Sequence, residues 1–236
     1  SRWDYAYTGG TTFGDLSQLA DKRVAVIGTG ATAVQCVPHL AASAKALYVF
    51  QRTPSSIDVR DNQPTNPDWI SKQTPGWQKR RQTNFESIMS GLPVKEDLVG
   101  DGWTEAFRNL FGGLGDSMPS KARLALWAVQ GVFSNKRRER GLKQYLMDRA
   151  IQYMGLMQKM EMADFEKMEK VRARADEVVL EKSTAESLKP YYRQFCKRPC
   201  FHDEYLQSFN RDSVTLVDTD GRGVETFTET GVVFDG

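Results

Sequence analysis

The sequence is poor in the residues that build metal and disulfide frameworks, with 3 cysteines and 2 histidines in 236 residues. A small, odd number of cysteines in a chain this long argues against a disulfide scaffold and for a reducing, cytoplasmic compartment. Cys196, Cys200 and His202 lie close together, but no second Cys or His pair supplies the fourth ligand that a structural zinc requires, so no metal is expected. Charge of one sign is missing too. The net charge of +2, from 32 Lys and Arg against 30 Asp and Glu, favours neither nucleic acid nor an anionic membrane surface as partner. No apolar run reaches the length of a membrane span, so stable membrane insertion is not expected. No tyrosine has a lysine four residues on, which excludes the Tyr-x-x-x-Lys proton-transfer pair of a short-chain dehydrogenase.

What the chain does have stands between Lys22 and Arg52: KRVAVIGTGATAVQ, then ALYVFQR. Val24 to Ile27 are apolar and largely β-branched and read as a buried strand, after which the chain must turn at once into a helix. Gly28 permits the turn, Gly30 lets a pyrophosphate approach the backbone, and Ala33 is small enough for the helix to lie close to the strand. Gly28, Thr29, Gly30, Ala31, Thr32 and Ala33, with Gln35 in the following turn, are therefore the expected phosphate-facing residues of a dinucleotide site.

The second strand, Leu47 to Phe50, ends about twenty residues further on. An NAD site would carry an acid there for the ribose 2′-hydroxyl, but this chain has Gln51-Arg52-Thr53. A guanidinium with no acidic neighbour in sequence suits a 2′-phosphate, so Arg52 and Thr53 point to NADPH. Three further GxG pairs, at Gly100/Gly102, Gly113/Gly115 and Gly221/Gly223, lack a small residue at the third position and carry no such reading.

Strand and turn signals occupy the two ends, and the middle, from about Trp77 to Met168, is helical in pattern. The fold class expected is α/β, a Rossmann-like three-layer NADP-binding domain with a large helical insertion. Residues 1–22 read as an interdomain linker remnant, 23–70 and 184–236 as the nucleotide-binding sheet, and 71–183 as the helical insertion. Leu146, Ala150, Tyr153 and Met157 form one helical stripe, and Met160, Phe165, Met168 and Val171 continue it or restart it after a break. Arg60 to Pro75, rich in proline and polar residues, reads as a loop. Ser183 with Glu186 reads as a capping box. Val214–Val217, Val224–Phe227 and Val232–Phe234 read as strands, with Asp220-Gly221 as a turn.

The glycine turn, the Gln51-Arg52-Thr53-Pro54-Ser55 segment and Cys196-Lys197-Arg198-Pro199 together resemble the type I Baeyer-Villiger monooxygenases along essentially the whole chain. The opening Ser1-Arg2-Trp3-Asp4 fits the end of that family's fingerprint FxGxxxHxxxW(P/D), whose glycine and histidine are expected upstream. The resemblance implies that this is the NADPH domain, that FAD is held by a domain absent from the chain, and that the isolated chain binds NADPH without being active. It implies a parent that uses NADPH, a flavin and O2 to insert one oxygen beside a ketone carbonyl, giving an ester or lactone. The implied partners are the FAD domain of the same parent and a ketone substrate. By the same resemblance Lys197 joins Arg52 and Thr53 at the 2′-phosphate. Arg198 turns toward the flavin as the catalytic residue, steadying negative charge on oxygen. Two alternatives stay open: a binding module that holds NADP(H) without chemistry, and a domain of an N-hydroxylating or sulfur-oxidising flavin monooxygenase.

Overall fold

A computed structural model describes residues 3–11, 14–92, 94–112 and 135–234. The elements run α1 (Tyr5–Thr8), β1 (Arg23–Ile27), α2 (Ala31–Ser43), β2 (Ala46–Gln51), β3 (Ile57–Asp58), α3 (Pro67–Ser71), α4 (Trp77–Met89) and α5 (Gly102–Gly112). They continue with α6 (Asn135–Val178), α7 (Lys182–Ser187), β4 (Cys200–Phe201), β5 (Val214–Asp218), β6 (Thr226–Phe227) and β7 (Val232–Val233). The fold is α/β. It divides into two compact units, one of Ser1–Arg60 with Lys167–Gly236 and one of Asp61–Glu166.

The first unit is built on a parallel sheet in the order β1-β2-β5. Val24 lies opposite Leu47 and Ile27 opposite Phe50, while Leu47 lies opposite Val214 and Gln51 opposite Asp218. A parallel pair needs a long crossover, and α2 supplies it between β1 and β2. Val34, Val37, Leu40 and Ala41 recur at helical spacing and bury one face of α2 in a core shared with Leu47, Val49, Leu206 and Phe209. A second parallel pair joins β3 to β4, with Ile57 opposite Cys200. In the second unit the side chain of Asn84 donates to the Glu96 carbonyl and accepts from the Leu98 amide, and the Trp69 and Trp77 rings meet edge-on at 5.2 Å.

Several local expectations change. The Arg60–Pro75 stretch contains α3, because Asn66 caps the amide of Asp68 and Pro67 pre-sets the first helical turn. The cap of α7 is Glu181 and not Ser183: its carboxylate accepts from the Ser183 hydroxyl and from the amides of Ser183 and Thr184, and these bonds lower its pKa to about 2. Helix α6 runs unbroken from Asn135 to Val178, so Met160 and Met168 share one helix. Met168, Val171 and Ala175 are buried, whereas Phe165 is exposed. The side chains of Leu146, Ala150 and Tyr153, and the pair Gly113/Gly115, lie outside the described residues. Strand β5 joins the parallel sheet, and β6 pairs antiparallel with β7 instead. Among the described residues no helix is long and apolar enough to cross a membrane, and no group of three His, Cys, Asp or Glu side chains could hold a metal.

Candidate functional site

The amide of Gly28 donates to the Phe50 carbonyl at 2.8 Å and then φ swings to +95°, a value open to glycine, so the chain leaves the sheet here. Thr29, 5% exposed, donates its hydroxyl to the Thr53 carbonyl at 2.9 Å, and the Ser55 hydroxyl returns a bond to the Thr29 carbonyl. Two loops far apart in sequence are thereby stitched together. Gly30 is the N-cap of α2 with φ −71° and ψ −179°, ordinary extended backbone, and no side chain caps the helix. A Cβ on Gly30 would meet nothing within 4 Å. The fold itself therefore has no need of glycine at that position; what the glycine provides is open space before the amides of Ala31, Thr32 and Ala33. Gln35 lies further along the helix, exposed.

At the far end of β2, Gln51 is fully buried. Its Nε2 donates to the Ser187 carbonyl at 2.7 Å and to Asp218 at 3.2 Å, and its Oε1 has no partner among the described residues. The sequence shows no acid beside Arg52; the parallel register brings Asp218 from β5 against Gln51. Thr219 then closes the end of the strand, donating both its amide (2.9 Å) and its hydroxyl (2.8 Å) to the Gln51 carbonyl and accepting from the Gly223 amide. The turn so formed runs beside Arg52, whose Cδ is 3.8 Å from where a Gly223 Cβ would stand. Arg52 is exposed.

Lys197 and Arg198 reach the same end of the molecule through β3 and β4. These strands are parallel, so the residues that precede them, Arg52 to Ser56 and Lys197 to Pro199, share one edge. Burial pushes the Lys197 ammonium below its ordinary pKa, and the Arg52 charge pushes it further. The β3–β4 pair thus brings to one edge two cations that lie 145 positions apart in sequence. Lys197 has extended backbone, φ −127° and ψ 164°. Arg198 is exposed, and its carbonyl receives the Cys200 thiol at 3.7 Å.

No protein-family profile matches. A Baeyer-Villiger monooxygenase, ATR8, of Stachybotrys chlorohalonatus is 51% identical over 236 residues, covering 100% of this chain and 33% of that protein. Neopentalenolactone D synthase of Streptomyces avermitilis is 50% identical, over 100% of the chain and 35% of its own length. Among solved structures, the polycyclic ketone monooxygenase of Thermothelomyces thermophila matches with a TM-score of 0.71 at 40% identity, covering 99% of this chain and 34% of that one. The chain is homologous to a segment of the Baeyer-Villiger monooxygenases. It spans about a third of the length of these relatives. A steroid monooxygenase solved with NADP shares the fold, with a TM-score of 0.58 at 22% identity.

Of the expected site residues, the Gly28–Ala33 turn is tied to Thr53 by the Thr29 bond, and the segments bearing Arg52 and Lys197 lead into the paired strands β3 and β4. Among the described residues, Gly100/Gly102 does not follow directly on a strand and no helix follows Gly221/Gly223. Sequence reasoning missed Thr219, Asp218 and Tyr192, and no local signal marks them. Each acts on residues more than 130 positions away.

Proposed function

We propose that this chain is the NADPH-binding domain of a Baeyer-Villiger monooxygenase, with a Rossmann-like core. The observation that carries this reading is the pairing of an uncapped helix N-terminus behind an open Gly30 with two cations, Arg52 and Lys197, on the edge from which β3 and β4 start. The α2 amides and the helix dipole suit a pyrophosphate. Arg52, Thr53 and Lys197 suit a 2′-phosphate, which cancels the repulsion between the two cations. When bound, NADPH supplies the hydride that a flavin needs before oxygen can be activated. Arg198, next to Lys197 in the chain, contributes a permanent cation suited to steadying an oxyanion as a ketone becomes an ester or lactone. The flavin is proposed to belong to another domain of the parent, together with most of the ketone pocket.

A charge-assisted hydrogen bond contributes about 1.5–3 kcal/mol, and exposure reduces this, so the two cations together favour NADPH over NADH by about a hundredfold. Calorimetric titration of the chain with NADPH, NADH and FAD tests the reading. NADPH is expected to bind, NADH about a hundredfold more weakly, and FAD not at all, with Arg52→Ala removing most of the preference. Equal affinity for the two nicotinamide nucleotides would overturn it.

A further inference from the structure

The two cations of the 2′-phosphate site are held by a residue that no reading of the motif includes. Tyr192 lies between the buried Pro190 and the 3-10 turn Gln194–Cys196. Its hydroxyl donates to the Pro54 carbonyl at 2.9 Å and accepts from the Ser56 amide at 3.0 Å. Both partners lie in the short segment between Arg52 and the start of β3 at Ile57, where the backbone has left one ladder and not yet entered the next. The ring of the same residue carries the Lys197 ammonium, 5.1 Å from its centroid. Tyr192 is anchored from behind in turn. Arg172 of α6 donates to the Pro190 carbonyl at 2.9 Å and stacks over Tyr191 at 5.3 Å.

We propose that Tyr192 is the specificity-determining positioning residue of this site: its hydroxyl fixes the loop that bears Arg52, and its ring holds Lys197 facing that loop. The inference rests on the reading of Arg52 and Lys197 as the 2′-phosphate cradle. The physical need is plain. Two like charges on flexible stems repel, and burial and Arg52 already press the Lys197 ammonium down. An aromatic face, negative at its centre, offsets that repulsion without forming an ion pair that a phosphate would have to break. A carboxylate in the same place would hold the lysine as well, but would repel the ligand. Tyr192 thus pre-sets two cations at one spacing and leaves both free to donate.

The test measures the ratio of NADH to NADPH dissociation constants by calorimetry for the unaltered chain, Tyr192→Phe, Tyr192→Leu, Lys197→Ala and the double variant Tyr192→Leu/Lys197→Ala. Losing the ring contact and the loop bonds together is expected to cut the ratio about tenfold in Tyr192→Leu, through weaker NADPH binding with NADH nearly unchanged. Tyr192→Phe, which keeps the ring and loses the hydroxyl, is expected to fall between that variant and the unaltered chain. In the Lys197→Ala background the Leu change should lower the ratio less than in the parent chain, because the cation held by the ring is gone and only the hydroxyl's hold on the Arg52 loop is left to lose. Equal weakening of both nucleotides in Tyr192→Leu, or the same further loss with and without Lys197, would make Tyr192 a scaffold residue only and overturn the proposal. A preference that survives Lys197→Ala unchanged would overturn the cradle reading itself, and the proposal with it. A preference lost in Lys197→Ala yet intact in both Tyr192 variants would overturn the proposal alone.

Discussion

Gly28 and Gly30 are glycines for different reasons, and the difference can be measured. Gly28 has φ +95°, where a side chain is strained whatever the space around it, so Gly28→Ala is expected to destabilise the fold by roughly 1–2 kcal/mol. Gly30 sits in backbone that any residue adopts, with nothing within 4 Å of a Cβ. Gly30→Ala should therefore leave the urea midpoint unchanged and weaken NADPH binding, since the methyl fills the space a phosphate needs. Equilibrium unfolding of both variants, set beside their NADPH titrations, checks this: a Gly30→Ala chain that unfolds early would mean the glycine serves the fold. The glycines were legible in the sequence because the turn is local. The roles of Thr219, Asp218 and Tyr192 were not, because each depends on a strand register that residue types do not encode locally.

At the scale of elements, the β3–β4 pair carries most of the burden of bringing Arg52 and Lys197 together, yet it is two residues long on each side. Such a pair is marginal by itself. Helix α6 holds it: Arg174 donates to the Ile57 carbonyl at 3.1 Å and to the His202 carbonyl at 3.0 Å, and Lys167 pairs with Asp58. Burial lowers the Arg174 pKa, while Asp203 and Asp58 oppose that shift. Arg174→Ala leaves two carbonyls without their donor and is expected to cost about 2–4 kcal/mol, read as a lower urea midpoint at constant slope. An unchanged midpoint would mean that water replaces both bonds. Legible from the 3.6 period was an apolar stripe through Met160, Phe165, Met168 and Val171 that continues or restarts after a break. That Met168, Val171 and Ala175 are buried while Phe165 is exposed was not, because burial depends on which elements the helix meets at each turn.

On the scale of the whole molecule, the role proposed for Arg198 is toward a flavin that the proposal assigns to another domain of the parent. The prediction belongs to the intact parent: Arg198→Ala should leave NADPH oxidation by the flavin largely intact and abolish ester formation, measured as product formed per NADPH consumed. Normal ester yield from that variant would remove Arg198 from the chemistry. Residue order alone was enough to read the first strand–glycine turn–helix unit, the α/β class, the basic residue at the end of β2 and the resemblance to Baeyer-Villiger monooxygenases. The strand–turn–helix unit and the basic residue rest on neighbours within a few tens of residues, while the class and the resemblance draw on short motifs spread along the chain. The tertiary structure decided which residues meet there. A parallel sheet joins strands that lie far apart in sequence, so the acid beside Gln51, the turn beside Arg52 and the ring under Lys197 exist as a site only once register and crossover are set.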